Sequence, residues 1–442
     1  LLILNGALYK SLGARTVIQS KMTGVPVKAD DTPLKAKKPW FGRRIISSLQ
    51  YRNYRLLWYG SVSEHFGQHM ETMAMAWLLK ELTGSPYYLG LFGVCRVAPL
   101  FFFALIGGVV ADRVDRRKLL MSCFMASAFI SLALLILIRS GVIAPWHILV
   151  AAALGAAITG FNHPARGAII PNVTPKNELM NAIALDTISV RTASVVAAPI
   201  AGLLITLFGT TPLFGARAAG MVLAYQWLRM VKVPPTPEGG KKKAPWKSLT
   251  EGLRYTKTNG LVMALVCLFA LREFQNEMIQ VFLPFFADDI LNSGAMGFGY
   301  LNGANGVGAL IGLFGIASLG NFRYKGWLII GFGASAGLML IAFSLSNWLI
   351  LSVVLLAASG CAATVFENVN RTVLQQTIPD EFRGRVMSLR EAVRGLFGPW
   401  VAYGLGLGGE YIGVAATGAL LGALFVAIIC FVAVMLPALR KQ

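Results

Sequence analysis

Charge is scarce in this chain. Only 14% of its 442 residues are Asp, Glu, Lys or Arg, while 56% are hydrophobic; an ordinary soluble domain carries roughly 25% charged residues. The shortage argues against a soluble enzyme, because the apolar residues fall in blocks of about 18 or more instead of amphipathic stripes. Cysteine is sparse too. Cys95, Cys123, Cys267, Cys361 and Cys430 lie far apart in apolar blocks, with no CxxC or Cys/His cluster, and read as small buried hydrophobes. The 4 histidines are too scattered for a metal site, and His163, followed by Pro164, reads as serving a helix end. No GxxxxGK[ST] loop is found, so nucleotide-driven chemistry is not expected, and no cofactor is implied. Nor is a cleavable signal evident: Leu1 to Ala7 is short, lacks a basic segment before it and runs into a polar tail.

Acids are the scarcer charge, 20 against 40 bases, for a net +20. Nucleic acid and an anionic membrane surface would each attract such a chain, so the positions of the charges must decide. Twelve spans are expected at about 56–80, 87–111, 118–138, 146–166, 182–208, 212–231, 260–286, 294–320, 326–346, 347–369, 387–409 and 413–436. Thirty-two of the 40 bases fall in the N-terminal tail, the even-numbered connections (Arg166 among them) and the C-terminus. The odd-numbered connections hold only Lys80 and Arg139. Since Lys and Arg are retained on the cytoplasmic side, both termini are expected there. The basic excess is thus a topology signal, and no nucleic-acid partner is expected.

These connections define the expected domains: a basic tail over 1–55, with an interfacial helix near Trp40 to Leu49, a six-span half over 56–231, a linker over 232–259, a second half over 260–436 and a C-terminus over 437–442. The linker, with its Pro, Gly and Lys, reads as a spacer. A repeat supports the halves: Gly155, Thr159, Phe161 and Arg166 match Gly360, Thr364, Phe366 and Arg371 at an offset of 205. Paired six-helix repeats place a binding site between the halves near the membrane midplane.

A charge at a helix centre costs about 2.5–3.5 kcal/mol on insertion scales, so each in-span charge needs a partner or a wet cavity. In the first span Glu64, Gln68 and Glu71 share a face at i, i+4 and i+7, with His65 and His69 beside them. The seventh repeats the theme with Arg272, Glu273, Asn276, Glu277 and Gln280. Proton or substrate binding in a cavity and structural ion pairing are both open for these groups. Arg96, Asp186 and Arg191 are expected to form a buried network, unless Arg191 binds an anion. Glu367, Arg390, Glu391 and Arg394 suit gating bridges, and Arg217, near an outer end, suits snorkelling.

The connection after the second span reads Gly107-GVVADRVDRRK-Leu119, where Gly allows close packing and Asp112 with Arg113, Arg116 and Arg117 can bridge helix ends that separate between conformations. It resembles the loop signature G-x-x-x-D-R/K-x-G-R-R/K of the major facilitator superfamily, met by Gly108, Asp112, Arg113, Arg116 and Arg117, with Asp115 in place of the usual glycine. Stretches such as AWLLKELTGSPYYLGL (76–91), PARGAIIPNVTPKNELMNAIAL (164–185) and PDEFRGRVMSL (379–389) are similar to the bacterial exporter subgroup of enterobactin exporters and macrolide efflux proteins. The resemblance covers about residues 50–436. It implies an all-α, twelve-helix membrane protein, not an enzyme, that alternates access by rocking its halves, with the loop in gating. Ala198, Pro199 and Gly202 are similar to the Gly/Pro motif in the fifth span of proton-coupled antiporters. Two features depart from the pattern: Gln68 stands where the subgroup commonly has an acid, and the arginine expected within the fourth span of many drug antiporters is not found, Arg166 being assigned to the connection that follows.

The expected function is therefore proton-coupled export of an amphipathic small molecule, drug or siderophore-like, across a bacterial inner membrane. Glu64, Gln68, Glu71, Arg272, Glu273, Glu277 and Arg191 are the candidate substrate and proton groups. Gly108, Asp112, Arg113, Arg116, Arg117, Glu367, Glu391 and Arg394 are the candidate gating groups. Protons and membrane lipids are the expected partners of a monomer, with a partner protein left open. A non-transporting assembly factor or receptor on the same scaffold, and an uptake carrier, are the alternatives.

Overall fold

Twelve hydrophobic blocks joined by short polar connections leave the backbone only one way to satisfy its hydrogen bonds in lipid, as helices packed on one another. The computed structural model describes residues 46–232, 245–319, 322 and 324–440. A short 3₁₀ turn, Ser47–Gln50, leads into α1 (Arg52–Thr83), α2 (Pro86–Arg113), α3 (Arg116–Arg139), α4 (Pro145–Val173), α5 (Leu179–Phe208) and α6 (Thr211–Met230). The amphipathic α7 (Pro245–Thr258) precedes α8 (Gly260–Phe285), a π turn (Phe286–Ile290), α9 (Gly294–Leu319), α10 (Lys325–Ser344), α11 (Leu349–Thr377), α12 (Asp380–Ile412), α13 (Val414–Met435) and the short α14 (Pro437–Arg440).

Each expected span has its helix, and the main differences are extensions at the end of the bundle that carries the termini: α4 runs on to Val173 and α11 to Thr377, while α12 begins at Asp380. The expected tail up to residue 45 and residues 233–244 of the expected linker lie outside the described residues, as does most of the interfacial helix expected near Trp40 to Leu49. Eight helices are apolar enough by composition alone to cross a membrane. The other four long helices, α1, α6, α8 and α12, carry Glu64, Glu71, Arg217, Arg272, Glu273, Glu277, Arg390, Glu391 and Arg394. Glu64, Arg217, Glu273, Glu277 and Arg390 are buried against other helices, which is how a chain places charge within a bilayer.

The two halves meet along two seams, α2 with α12 and α5 with α9. Both are lined by glycine. A Cβ at Gly90 would fall 2.7 Å from the Ala402 carbonyl oxygen, and one at Gly202 would fall 2.6 Å from that of Ala295, so only the absence of a side chain permits the approach. Near the end opposite the termini, one apolar cluster draws on both halves, from Met73 to Leu79 of α1, Phe282 to Ala287, and Phe298 of α9. Near the terminus end there are two separate clusters, one around Leu57, Phe124 and Ile169 and the other around Leu265, Phe366 and Val386. The bundle is sealed at one end and divided at the other.

Candidate functional site

Between the halves lies a cavity of about 390 Å³, lined from one half by Gln68, Thr72, Arg96 and Arg191 and from the other by Arg272, Asn276, Asn305, Thr364, Glu367 and Arg371. Its volume falls in the usual range for small-molecule sites. A smaller pocket of about 110 Å³ adjoins it within the first half. Gln68, Thr72 and Arg96 border both, and the smaller one continues to Glu71, Ser127, Thr159 and Arg217.

The first half has its own interior charge network. Glu64 of α1 is ion-paired with Arg166 of α4, and both side chains are almost fully buried. Arg166 Nη1 also lies 2.6 Å from His65 Nε2, and His65 Nδ1 lies 3.0 Å from Ser189 Oγ. An arginine can only donate, so Nε2 accepts and Nδ1 carries the ring proton. Two turns along α1 from Glu64, Glu71 accepts a hydrogen bond from Ser131 of α3 and lies 3.3 Å from Arg217 Nε of α6. Arg217 Nη1 donates to the Glu64 carbonyl at 2.8 Å, tying α6 to α1.

The second half has a matching network. Glu273 of α8 accepts from Arg394 of α12 at 3.0 Å. Glu367 of α11 is shared by Arg390 at 3.4 Å, Arg394 at 3.9 Å and Arg272 at 4.0 Å. The Arg390 guanidinium stacks 3.8 Å from the centre of the Phe269 ring, where the ring face complements the cation. Glu391 is exposed and 3.7 Å from Arg394. Gln275 of α8 donates to Ser359 of α11 at 2.7 Å, much as Gln68 of α1 approaches Thr159 of α4 at 3.4 Å. Glu277 is buried, and its Oε2 has no hydrogen-bond partner among the described residues.

The candidate gating loop is held by backbone carbonyls. Arg116 donates to Ala168 of α4 at 3.1 Å, and Arg117 donates to Leu228 at 3.1 Å and to Arg229, in the last turn of α6. Carbonyls in the last turn of α6 lie at the negative end of the helix dipole, so the Arg117 cation suits them. Asp115 caps α3 by accepting from the backbone of Arg117 at 2.9 Å and Lys118 at 3.2 Å. Arg113 is exposed, and the side chain of Asp112 lies outside the described residues.

At the sealed end, Lys80 of α1 pairs with Asp289 at 2.6 Å and with Asp288. Ser85, just before α2, donates to Glu410 of α12 at 2.6 Å. Both contacts cross between the halves.

Residues 45–442 match the family of transmembrane secretion effectors. The chain belongs to that family of major facilitator transporters. It is 29% identical over 351 residues to the enterobactin exporter EntS of Escherichia coli O1:K1 / APEC, spanning 77% of this chain and 79% of that protein. Macrolide efflux protein A of Streptococcus pyogenes is 24% identical over 362 residues, 79% of this chain and 88% of its own length. Among solved structures, a bacterial homologue of the human lysosomal transporter Spinster, inward-facing and unoccupied, superposes with a TM-score of 0.63 at 16% identity, covering 88% of this chain and 96% of that one. A POT family transporter in complex with a thioalcohol conjugated peptide does so at 0.68 and 14%, covering 90% and 100%. Those two likenesses are of fold. The secretion effector is an integral membrane transporter of small molecules and not an enzyme.

Within this transporter several sequence expectations need correction. Arg166 is not in a connection: α4 continues through Pro164 and Pro171, which places Arg166 inside the helix and against Glu64. Glu64 therefore faces a buried partner and does not line the cavity, whereas Gln68, Arg191 and Arg272 do, and Glu71 lines the adjoining pocket. Arg217 does not snorkel; with Glu71 within reach it is retained inside. His163 lies in mid-helix, not at a helix end. Arg96 and Arg191 line the cavity instead of joining Asp186 in a buried network. Gly108 has open space beside it, and it is Gly107 that packs on α4 at Gly160. Of the cysteines, Cys123 is buried, while Cys267 and Cys430 are exposed on the bundle. Arg371, known from the sequence only as the repeat counterpart of Arg166, lines the cavity, as do the amides Asn302, Asn305 and Asn368, which the sequence reading missed; amides at 302 and 305 within an otherwise apolar span were the available signal.

Proposed function

We propose that this transporter exports an amphipathic small molecule, drug or siderophore-like, from a bacterial cytoplasm in exchange for protons, by rocking its halves about a central cavity. The observation that carries the reading is the cavity between the halves, placed below a sealed end and adjoining a pocket that contains Glu71. In this reading the termini are cytoplasmic and the divided end faces the cell interior. The export direction is supported by the efflux relatives, one named for enterobactin and one for macrolides.

Glu71 suits the proton role because its partners can exchange. Protonation removes the charge that Arg217 faces, and Arg217 already has the Glu64 carbonyl as a second acceptor. Gln68, Thr72 and Arg96 border both Glu71's pocket and the substrate cavity, so a change at Glu71 is felt by side chains that touch substrate. Glu277 is the corresponding acid of the second half, and Glu64 and Glu273 hold helices together through arginines. A ligand or proton moves such an equilibrium only by its different affinity for the two conformations. The loop that carries Gly108, Asp112 and Arg113 and is held through Arg116 and Arg117, together with Glu367, Glu391 and Arg394, remodels as the divided end closes.

The test is transport in proteoliposomes with an imposed pH gradient, using enterobactin and a macrolide as probes. Gradient-driven movement of either, lost in Glu71→Gln and retained with Glu71→Asp, supports the reading. Full gradient-driven transport by Glu71→Gln would overturn the assignment of Glu71. A folded protein that moves neither probe and shows no probe-dependent conformational change would favour a receptor or assembly role.

A further inference from the structure

We infer that the molecule held in the central cavity is an organic anion, recognised through a carboxylate or similarly delocalised acidic group by Arg272 and Arg371 from one half and by Arg96 and Arg191 from the other. The inference rests on the transport reading of the same cavity and narrows its substrate class.

Four arginines and His69 line the cavity, and Glu367 is its one lining carboxylate among the described residues. Glu367 is already divided between Arg390, Arg394 and Arg272. The Arg272 contact, at 4.0 Å, is too long for a hydrogen bond, and the Nε and Nη1 of this largely buried side chain have no hydrogen-bond partner among the described residues. Arg96, Arg191 and Arg371 make no ion pair within 4.0 Å among the described residues. The one other carboxylate near Arg96, that of Glu277, sits in the wall beside Gly93, where a Cβ would lie 3.6 Å from Oε2, and it offsets at most one of the four.

Buried donors left without acceptors are costly, and an arginine inside a membrane protein needs a counter-charge or water. Elsewhere in this bundle that need is met within the chain: Arg166 has Glu64, Arg217 has Glu71, and Arg394 has Glu273. The arginines without a close partner gather around one space, Arg272 with its Nε and Nη1 buried and Arg191 and Arg371 exposed, which makes that space a focus of positive potential. A planar guanidinium matches a planar carboxylate with two parallel hydrogen bonds. Because Arg272 and Arg371 belong to one half and Arg96 and Arg191 to the other, an anion between them offsets a repulsion that would otherwise oppose closure. The amides Asn276, Asn305 and Asn368 donate or accept and suit the neutral polar groups of such a molecule. A cation would meet like charge on both walls.

The experiment uses the full chain in nanodiscs and three probes on one ring system: 2-naphthoate, 2-naphthylmethanol and 2-naphthylmethylammonium. Binding is read by calorimetry, with empty nanodiscs subtracted. The expected result is that naphthoate binds at least tenfold more tightly than the ammonium, and that Arg272→Gln and Arg371→Gln each weaken naphthoate about tenfold while Arg272→Lys weakens it less. Arg371 is exposed, so its variant is expected to fold, and the unfolding profile checks this. Equal or tighter binding of the ammonium, or unchanged naphthoate binding in the Arg272→Gln/Arg371→Gln double variant, would overturn the anion class. Movement of the ammonium down a pH gradient in proteoliposomes would do so while leaving the transporter reading intact. Binding of naphthoate by a folded protein that transports none of the three supports the anion class and counts against export.

Discussion

Lys80 and Asp289 join the two halves across the sealed end of the bundle, with Lys80 Nζ 2.6 Å from Asp289 Oδ1 and Asp288 as a second partner on the same π turn. The lysine extends from the last turns of α1 over the end of α8, beside an apolar layer that contains Trp77, Phe286 and Phe298. Glycine seams hold the halves along their length, but this ion pair links the ends of the first helix of each half.

Loss of the Lys80 pair should therefore loosen the seal. Both aspartates are more than a third exposed, so solvent screening limits the pair to about 1 kcal/mol or less, a shift of up to roughly fivefold between sealed and open forms. Ala287 is fully buried beside Asp288. In a background without native cysteines, an Ala287→Cys probe should react with a maleimide severalfold faster when Lys80→Ala is added, and Lys80→Arg should leave it slow. An unchanged rate would show that the apolar layer alone seals this end.

Glu64 and Glu71 should respond differently to neutralisation although they lie two turns apart on one helix. Glu64→Gln leaves Arg166 buried without its counter-charge, and breaking such a pair costs about 3–5 kcal/mol. Glu71→Gln keeps a hydrogen-bonding group toward Ser131 and lines a pocket into which water can enter, so the destabilisation should be smaller. Thermal unfolding of the purified variants checks the order. Adding Arg166→Gln to Glu64→Gln should recover part of the loss, because the orphaned charge is removed.

Span positions were legible in the sequence because bilayer thickness and backbone hydrogen bonding leave few alternatives; α8 was expected at 260–286 and lies at Gly260–Phe285. The polar networks were legible only in part. Sharing a face on α1 identified Glu64, Gln68 and Glu71 as a group, but periodicity says nothing of which neighbour covers each turn. Arg166 was missed for a physical reason. Pro164 read as marking the end of a helix, yet a bundle lets neighbouring groups compensate for the hydrogen bonds that proline removes, and α4 passes through it and through Pro171 as well. Arg217 lay close enough to its span's end to suggest escape to the interface, and only packing against α1 reveals Glu71 within reach.

The α5–α9 seam makes a prediction about glycine. Besides its contact with the Ala295 carbonyl, a Cβ at Gly202 would sit 3.0 Å from Gly299 Cα, and backbone cannot yield as a flexible side chain can. Gly202→Ala should cost about 1–3 kcal/mol by overpacking and spread the halves at that seam. Gly155 has no neighbour within 4 Å of its Cβ position, so Gly155→Ala serves as the matched control with little effect. Unfolding midpoints of the two variants decide between a true seam requirement and a general intolerance of substitution.

Asp115 offers a last prediction, at the position where the loop signature usually has glycine. Its carboxylate caps α3 through the backbone of Arg117 and Lys118, and removing an Asp cap by alanine costs about 1 kcal/mol, whereas glycine costs only a few tenths. Asp115→Gly should thus be almost silent in unfolding, and Asp115→Ala should be measurably less stable. The cap also fixes the start of α3, from which Arg117 reaches the carbonyls of Leu228 and Arg229 at the end of α6. If that contact, and not the cap, governs the conformational change, Arg117→Gln should slow transport much more than it lowers stability, and Asp115→Ala should do the reverse. Comparing the transport rate and the unfolding midpoint for both variants separates helix capping from the loop's hold on α6.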